Sequence, residues 1–474
     1  MNRGRLYLSG QWRRTDSFAS VTNPTTGEPF AEMCMADRAI VAQAVRDAHA
    51  AFPAWRALTA LVRGEYLRKI AANLEGRRDE FARIITLENG KPLAQSFAEV
   101  AMAVDHLRWF AEEGRRAYGR VIPHQVDDKR HLVFKSPVGV VGAICSWNFP
   151  LVLPARKIAP ALAAGCPVIL KPASATPLSA VAFAECVEAA GLPAGVFQLV
   201  AGRASEIATE LLENPLCRKI TFTGSTEVGQ SLIRGAAHGV KRLSLELGGH
   251  APVLVFADCD LDRAVEMIMT AKFRNSGQTC ICANRIYVER SIYEPFLERF
   301  VTQVRALKVG NGLDDGVQIG PLINQEGLEK ALAHVDDAVR RGARVLCGGS
   351  RLGTKGWFLQ PTVLADVPTG AICMSEETFA PVAPIIAFDS EAEAIEQANT
   401  SEYGLCAYVF TRDLRRAFRL MEALEAGTVC INDAVPSTSP CPFGGFKQSG
   451  WGRELGSEGL EAFLETKHVS LGLR

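Results

Sequence analysis

The apolar pattern predicts an α/β protein built as two doubly wound domains, and three observations carry that reading. Short apolar runs of strand length alternate with helical stretches from residue 138 to 247. After the string LGGHAP (247–252) the same alternation begins again. The chain has 474 residues, 48% hydrophobic and 22% charged. That is enough for about two to four domains, each with its own core.

The elements follow in order. Residues 37–120 read as helices: Ile40, Val41, Ala44, Val45 and Ala48 recur at helical spacing, as do the runs 67–74 and 97–110. The alternation in HLVFKS (131–136) reads as a strand, and VGVVGAIC (138–145) is long enough for a strand buried on both faces. PVIL (167–170), FQLV (197–200), KITF (219–222) and LSLEL (243–247) continue the series, with helices over 178–190 and 204–213 between them. From about residue 248 a second domain runs through PVLVF (252–256), a helix over 261–274, RIYVER (285–290), a helix near 291–307, RVLCGG (344–349) and PVAPIIAF (381–388).

Composition excludes several classes of function. The 52 basic residues balance 52 acidic ones, which argues against a nucleic-acid or anionic-membrane binder. The opening MNRGRLYLSGQW lacks the apolar run of a secretory signal, and the most apolar stretch, 137–155, carries Pro137, Pro150 and Pro154. No membrane segment is expected. Thirteen cysteines without a CxxC pair read as reduced, mostly buried thiols of a cytoplasmic protein, with no metal site.

Three kinds of residue can carry chemistry. Cys280 follows Gly277, Gln278 and Thr279 in a loop, where a glycine allows close backbone approach and the sulfur stays accessible; a buried inert thiol is the alternative. Glu246 ends an apolar strand, where desolvation would raise its pKa toward that of a general base; the alternative is a salt-bridged strand tip. Asn148 in SWNFP follows a buried strand and could donate to an oxyanion, or could cap a helix. In ILKPAS (169–174), Lys171 could meet a ribose or phosphate. In FTGSTEVG (222–229), Gly224 and Ser225 open a helix whose N-terminus favours a pyrophosphate.

Taken together, SWNFP, KPAS, FTGSTEVG, LELGGHAP, FRNSGQTC, EETFAP (376–381) and PFGGFKQSG (442–450) resemble the aldehyde dehydrogenase superfamily, in that order and over nearly the whole chain. The resemblance implies that Cys280 is the nucleophile, Glu246 the general base and Asn148 the oxyanion donor. It implies that Glu377 and Phe379 orient the nicotinamide, and that Trp147, Lys171, Gly224 and Ser225 line the rest of an NADP or NAD cleft. Ser174 stands where NAD-preferring relatives often carry a glutamate, which implies that NADP is used well and NAD is accepted. The implied fold has a nucleotide-binding domain (1–117 and 138–247), a catalytic domain (248–440) and a bridging hairpin element (118–137 and 460–474). That element builds a homodimer or homotetramer in the family.

Within the superfamily the chain is most similar to succinate-semialdehyde dehydrogenases. Arg156, Arg274 and Ser437 match the places where that subfamily grips a distal carboxylate, and paired guanidiniums suit an anion. Surface or helix-terminal roles are the alternatives for the two arginines. The expected substrate is therefore a small anionic aldehyde, a short ω-oxo acid. The ending GRELGSEGLEAF and the histidine of GGHAP depart from the subfamily, so longer dicarboxylic or sulfonated semialdehydes remain alternatives, as does a CoA-acylating enzyme. Cys282, two residues past the nucleophile, is a redox candidate by the same resemblance.

Overall fold

The computed structural model describes residues 2–474. Strands Asn2–Gly4, Phe18–Asn23 and Glu28–Cys34 form a small sheet that the sequence reading did not include. Four helices follow, Arg38–Ala57, Ala60–Gly76, Arg78–Asn89 and Leu93–Glu113, within the span expected to be helical. The first starts at Asp37, whose side chain accepts from the Ile40 N–H at 2.8 Å, and it buries Val41, Ala44, Val45, Ala48 and Trp55 on one face.

Five parallel strands make the centre of the first large sheet. Their spatial order is Arg242–Glu246, Cys217–Thr223, Val140–Ile144, Val168–Lys171, Phe197–Leu199. The first strand in the chain, Val140–Ile144, lies in the middle, so successive strands are added to one side and then to the other. This reversal opens a crevice at the carboxyl ends of Val140–Ile144 and Cys217–Thr223, where ligands of doubly wound sheets bind. Antiparallel edges are added by Leu6–Leu8 with Gln11–Arg13 on one side and by Gly450–Trp451 on the other.

The second sheet has seven strands in the order Arg344–Cys347, Thr362–Ala365, Val382–Phe388, Ala283–Glu289, Ala251–Val255, Cys406–Phe410, Thr428–Ile431. All its neighbours are parallel except the Arg344–Cys347 edge. The third sheet pairs Arg120–Ile122 and the C-terminal Leu464–Gly472 with the two sides of Lys129–Pro137, all antiparallel. The apolar stretch 137–155 resolves into the end of that last strand, the buried strand Val140–Ile144 and the start of helix Val152–Ala164, every residue of which is buried. Among the described residues no helix is long and apolar enough to cross a membrane.

Candidate active site

The carboxyl ends of the first sheet face the amino ends of strands Ala283–Glu289 and Val382–Phe388 across a cavity of about 410 Å³. Trp147, Asn148, Arg156, Gly224, Ser225, Glu246, Arg274, Cys280, Glu377, Phe379 and Ser437 all line it. Lys171 and Ser174 do not; they sit at the end of the neighbouring strand Val168–Lys171, with Lys171 buried and Ser174 exposed.

Cys280 is carried on a loop whose shape is set by three consecutive left-handed residues: Asn275 (φ 49°), Ser276 (φ 55°) and Gly277 (φ 75°). Only the third is a glycine, and it has a second reason to be one: a Cβ there would lie 2.3 Å from the Ala380 carbonyl oxygen. The expected helix therefore ends at Phe273, one residue early. Gln278 fixes the loop by donating to Asn275 O at 3.1 Å and accepting from the Ile323 N–H at 2.9 Å. A turn closes from the Cys282 N–H to Thr279 O at 3.0 Å, and the buried Tyr408 hydroxyl donates to Ile281 O at 2.7 Å. The thiol of Cys280 is half-buried; burial foremost, then the carboxyls of Glu377 and Glu246, push it up to about 12 against the opposing pull of Arg156 and Arg274.

Asn148 does not cap a helix. The N-terminus of Val152–Ala164 is held instead by Glu99, whose Oε1 accepts from the N–H groups of Leu151 (2.9 Å) and Val152 (3.2 Å). The Asn148 carbonyl accepts from Lys91 Nζ at 2.7 Å and Asn275 Nδ2 at 2.9 Å, and its Oδ1 accepts from Ser146 Oγ at 2.6 Å. Its Nδ2 donates to Gln278 O at 3.2 Å. An amide nitrogen carries two hydrogens, so one is left for a ligand.

Glu246 is not salt-bridged: both carboxylate oxygens are buried and without a hydrogen-bond partner among the described residues. Burial foremost, then Glu454, hold its carboxyl well above the usual carboxylate range. Glu454 is itself ion-paired with Lys157, which also donates to Thr223 Oγ1 at 2.7 Å. A carboxyl so placed is suited to take up a proton.

The two arginines differ in their support. Arg156 is 6% exposed, lies over the Phe443 ring at 4.8 Å and donates to Ser437 Oγ. Arg274 follows helix Leu261–Phe273 and lies over the Phe149 ring at 5.6 Å. Among the described residues neither has a carboxylate within ion-pair distance. Cys282 is not brought to Cys280: its sulfur is fully buried, 3.3 Å from Lys272 Nζ, and does not line the cavity.

The other end of the cavity offers groups suited to the nicotinamide half of a dinucleotide. Ser225 caps the eleven-residue helix Thr226–Ala236 and accepts from the Val228 N–H at 3.4 Å, so the first turn presents its free N–H groups at the sheet's crevice. Glu377 Oε1 accepts from the Gly249 N–H at 3.1 Å, and burial raises its carboxyl to about 8. Trp147 and Phe379 meet edge to face at 5.5 Å, and Phe379 holds φ 55°, a strained value for a bulky residue at a site.

Comparison with known proteins agrees with this geometry. Residues 12–469 match the aldehyde dehydrogenase family. The succinate-semialdehyde dehydrogenase [NADP(+)] of Escherichia coli K12 is 48% identical over 473 residues, covering 99% of this chain and 98% of that protein. The glutarate-semialdehyde dehydrogenase of Pseudomonas aeruginosa is 47% identical over 472 residues, covering 99% and 98%. A crystal structure described as an E. coli NADP-dependent enzyme superposes with a TM-score of 0.98 at 48% identity, covering 100% of this chain and 98% of that one.

Proposed function

Because the chain belongs to the aldehyde dehydrogenase family, we propose that it oxidises a short anionic semialdehyde to the acid with NADP or NAD, succinate semialdehyde being the first candidate. The observation that carries the substrate class is the pair of guanidiniums, Arg156 and Arg274, lining the same cavity as Cys280 with no ion pair to a carboxylate among the described residues. A guanidinium binds a carboxylate or a sulfonate through similar oxygen geometry, so chain length and acid type are what a substrate panel must decide.

Ser225, Glu377, Phe379 and Trp147 would hold the nicotinamide half of the cofactor, with Lys171 and Ser174 toward the adenosine. The chemistry the nicotinamide supplies when bound is hydride acceptance. Cys280 Sγ gives its proton to solvent water and bonds to the aldehyde carbon, and Asn148 Nδ2 donates to the oxygen as it becomes negative. Loss of hydride from that carbon leaves a thioester on Cys280. Glu246 then takes a proton from water, the water oxygen bonds to the acyl carbon, and the C–S bond breaks to release the acid. A carboxyl aimed into the cavity with both oxygens free favours water over a thiol as the acyl acceptor. That argues against the CoA-acylating alternative.

The decisive experiment is a panel of neutral aldehydes, ω-oxo acids and a sulfonated aldehyde with each cofactor, read by absorbance of the reduced nicotinamide. Arg274→Ala should raise KM for the best anionic substrate by about 10- to 150-fold more than for a neutral aldehyde of equal length, the loss of a charged hydrogen bond. Equal losses on both would make the arginine structural and overturn the substrate class.

The three sheets also support the division into a nucleotide-binding unit (1–117, 138–247), a catalytic unit (248–440) and a bridging element (118–137, 460–474). That element projects exposed apolar side chains such as Val121 and Phe134, suited to homo-oligomer formation. A cytoplasmic location fits thirteen cysteines that are all free thiols.

A further inference from the structure

The orientation of Arg156 raises a question that the cavity alone does not answer. A buried guanidinium is usually held by a carboxylate, which would cancel the charge an anionic substrate needs. Among the described residues all its hydrogen-bond acceptors are neutral. Nε donates to His106 Nε2 at 3.2 Å, and Nη2 donates to Ser437 Oγ and lies 3.9 Å from Met102 Sδ.

The chain of hydrogen bonds behind His106 has a fixed direction. Arginine can only donate, so His106 Nε2 must be an acceptor and the ring proton must sit on Nδ1. Nδ1 faces Ser439 Oγ at 2.7 Å, and the Ser439 hydroxyl donates to Asp105. His106 and Ser439 are buried, whereas Asp105 is exposed. Burial foremost, then Arg156, hold His106 well below its ordinary value, consistent with a neutral ring. The carboxylate that ends this chain of hydrogen bonds is thus placed beyond two intervening side chains, at the surface, while Glu454 and Glu246 act on Arg156 through space without pairing with it. Arg156 is aimed but not neutralised. Ser437 and Ser439 come from one loop, so the same segment 434–443 seats the arginine from two sides, with Phe443 beneath it.

We infer that His106, with its tautomer set by Ser439 and Asp105, is a positioning residue that aims Arg156 into the cavity and thereby determines selectivity for anionic aldehydes. The inference rests on the reading that Arg156 meets the anionic end of the substrate.

The test compares KM for an anionic semialdehyde and for a neutral aldehyde of equal length in four variants. His106→Leu keeps the volume but removes the acceptor, and should raise the anion-to-neutral KM ratio by at least about tenfold, as expected for a misdirected charged hydrogen bond. His106→Gln can offer its amide oxygen near the Nε2 position and should keep the ratio within about threefold of the parent. Ser439→Ala should shift the ratio in the same direction as His106→Leu, and it carries the test if His106→Leu does not fold. Arg156→Ala separates the two layers. If it loses both substrates alike, the underlying substrate reading fails. If it is selective while neither His106→Leu nor Ser439→Ala moves the ratio, or if His106→Gln fails to rescue, the positioning role is overturned.

Discussion

At the scale of single residues, the site is poised rather than charged. With its thiol pushed up to about 12, Cys280 is overwhelmingly protonated at neutral pH in the protein without ligands. Alkylation follows the thiolate, so the rate of iodoacetamide labelling at Cys280, followed by peptide mass spectrometry, should climb about tenfold per pH unit between about pH 7 and 9. A plateau anywhere below pH 8 would mean that the thiolate already exists in the resting site. Glu246 gives a second expectation. Glutamine in its place cannot accept the proton of water, so Glu246→Gln mixed with substrate and cofactor should accumulate an acyl adduct on Cys280; protein that stays unmodified while turnover is lost would refute the role. The residues proposed to act on the substrate were nameable from sequence, and the fold brings them to one cavity, because each sits in a short string with its own glycines and polar neighbours. His106 and Ser439 were not: they are 333 positions apart, and nothing in a helix histidine or in PSTSP announces that the two will touch. Ser174 and Lys171 were named on the same strings, yet the fold sets them outside the cavity around Cys280.

Elements position these residues through a buried core of charge. Lys91 and Glu99 are 1% and 0% exposed in their side chains and pair at 2.5 Å. Lys91 also holds the Asn148 carbonyl, and Glu99 holds the start of helix Val152–Ala164. Breaking one side of such a pair leaves an uncompensated buried charge, at about 3–5 kcal/mol. Lys91→Met should therefore lower the thermal midpoint markedly and reduce kcat through Asn148 more than it changes cofactor affinity; a midpoint within a degree or two of the parent would show that the pair carries little. Sequence pattern located the five parallel strands of the first sheet to within a residue or two, because strands buried on both faces are continuous apolar runs, but not its antiparallel edges. It passed over Asn2–Gly4, which is three residues long, and over Phe18–Asn23 and Glu28–Cys34, which are partly exposed. The left-handed turn at Asn275 and Ser276 was equally hidden, since only packing against Ala380, Asn148 and Gly320 selects it.

Over the whole molecule, the projecting three-stranded sheet presents the feature that a monomer explains least. Register places Val121 opposite Leu132, and Val469 opposite Leu132 from the other side, while Leu471 pairs with Arg130. Residues paired across antiparallel strands, and those two apart along one, share a face. Val121, Leu132, Phe134, Val469 and Leu471 therefore share one face with Arg130 and Lys467, and on it Val121 is 75% and Phe134 48% exposed. The nine-residue strand Leu464–Gly472 is also an open sheet edge among the described residues. A long open edge beside exposed apolar side chains such as Val121 and Phe134 is a template for uncontrolled pairing. We propose that a second copy of the chain covers this face, in a homodimer or homotetramer. Placing charges on the face, as in Val121→Glu with Phe134→Glu, should shift the mass measured by sedimentation toward the monomer at micromolar concentration. Because Cys280 and its cavity lie in the other two sheets, the monomer so produced should still bind cofactor. A double variant that sediments like the parent would show that the oligomer, if one forms, is built through another surface.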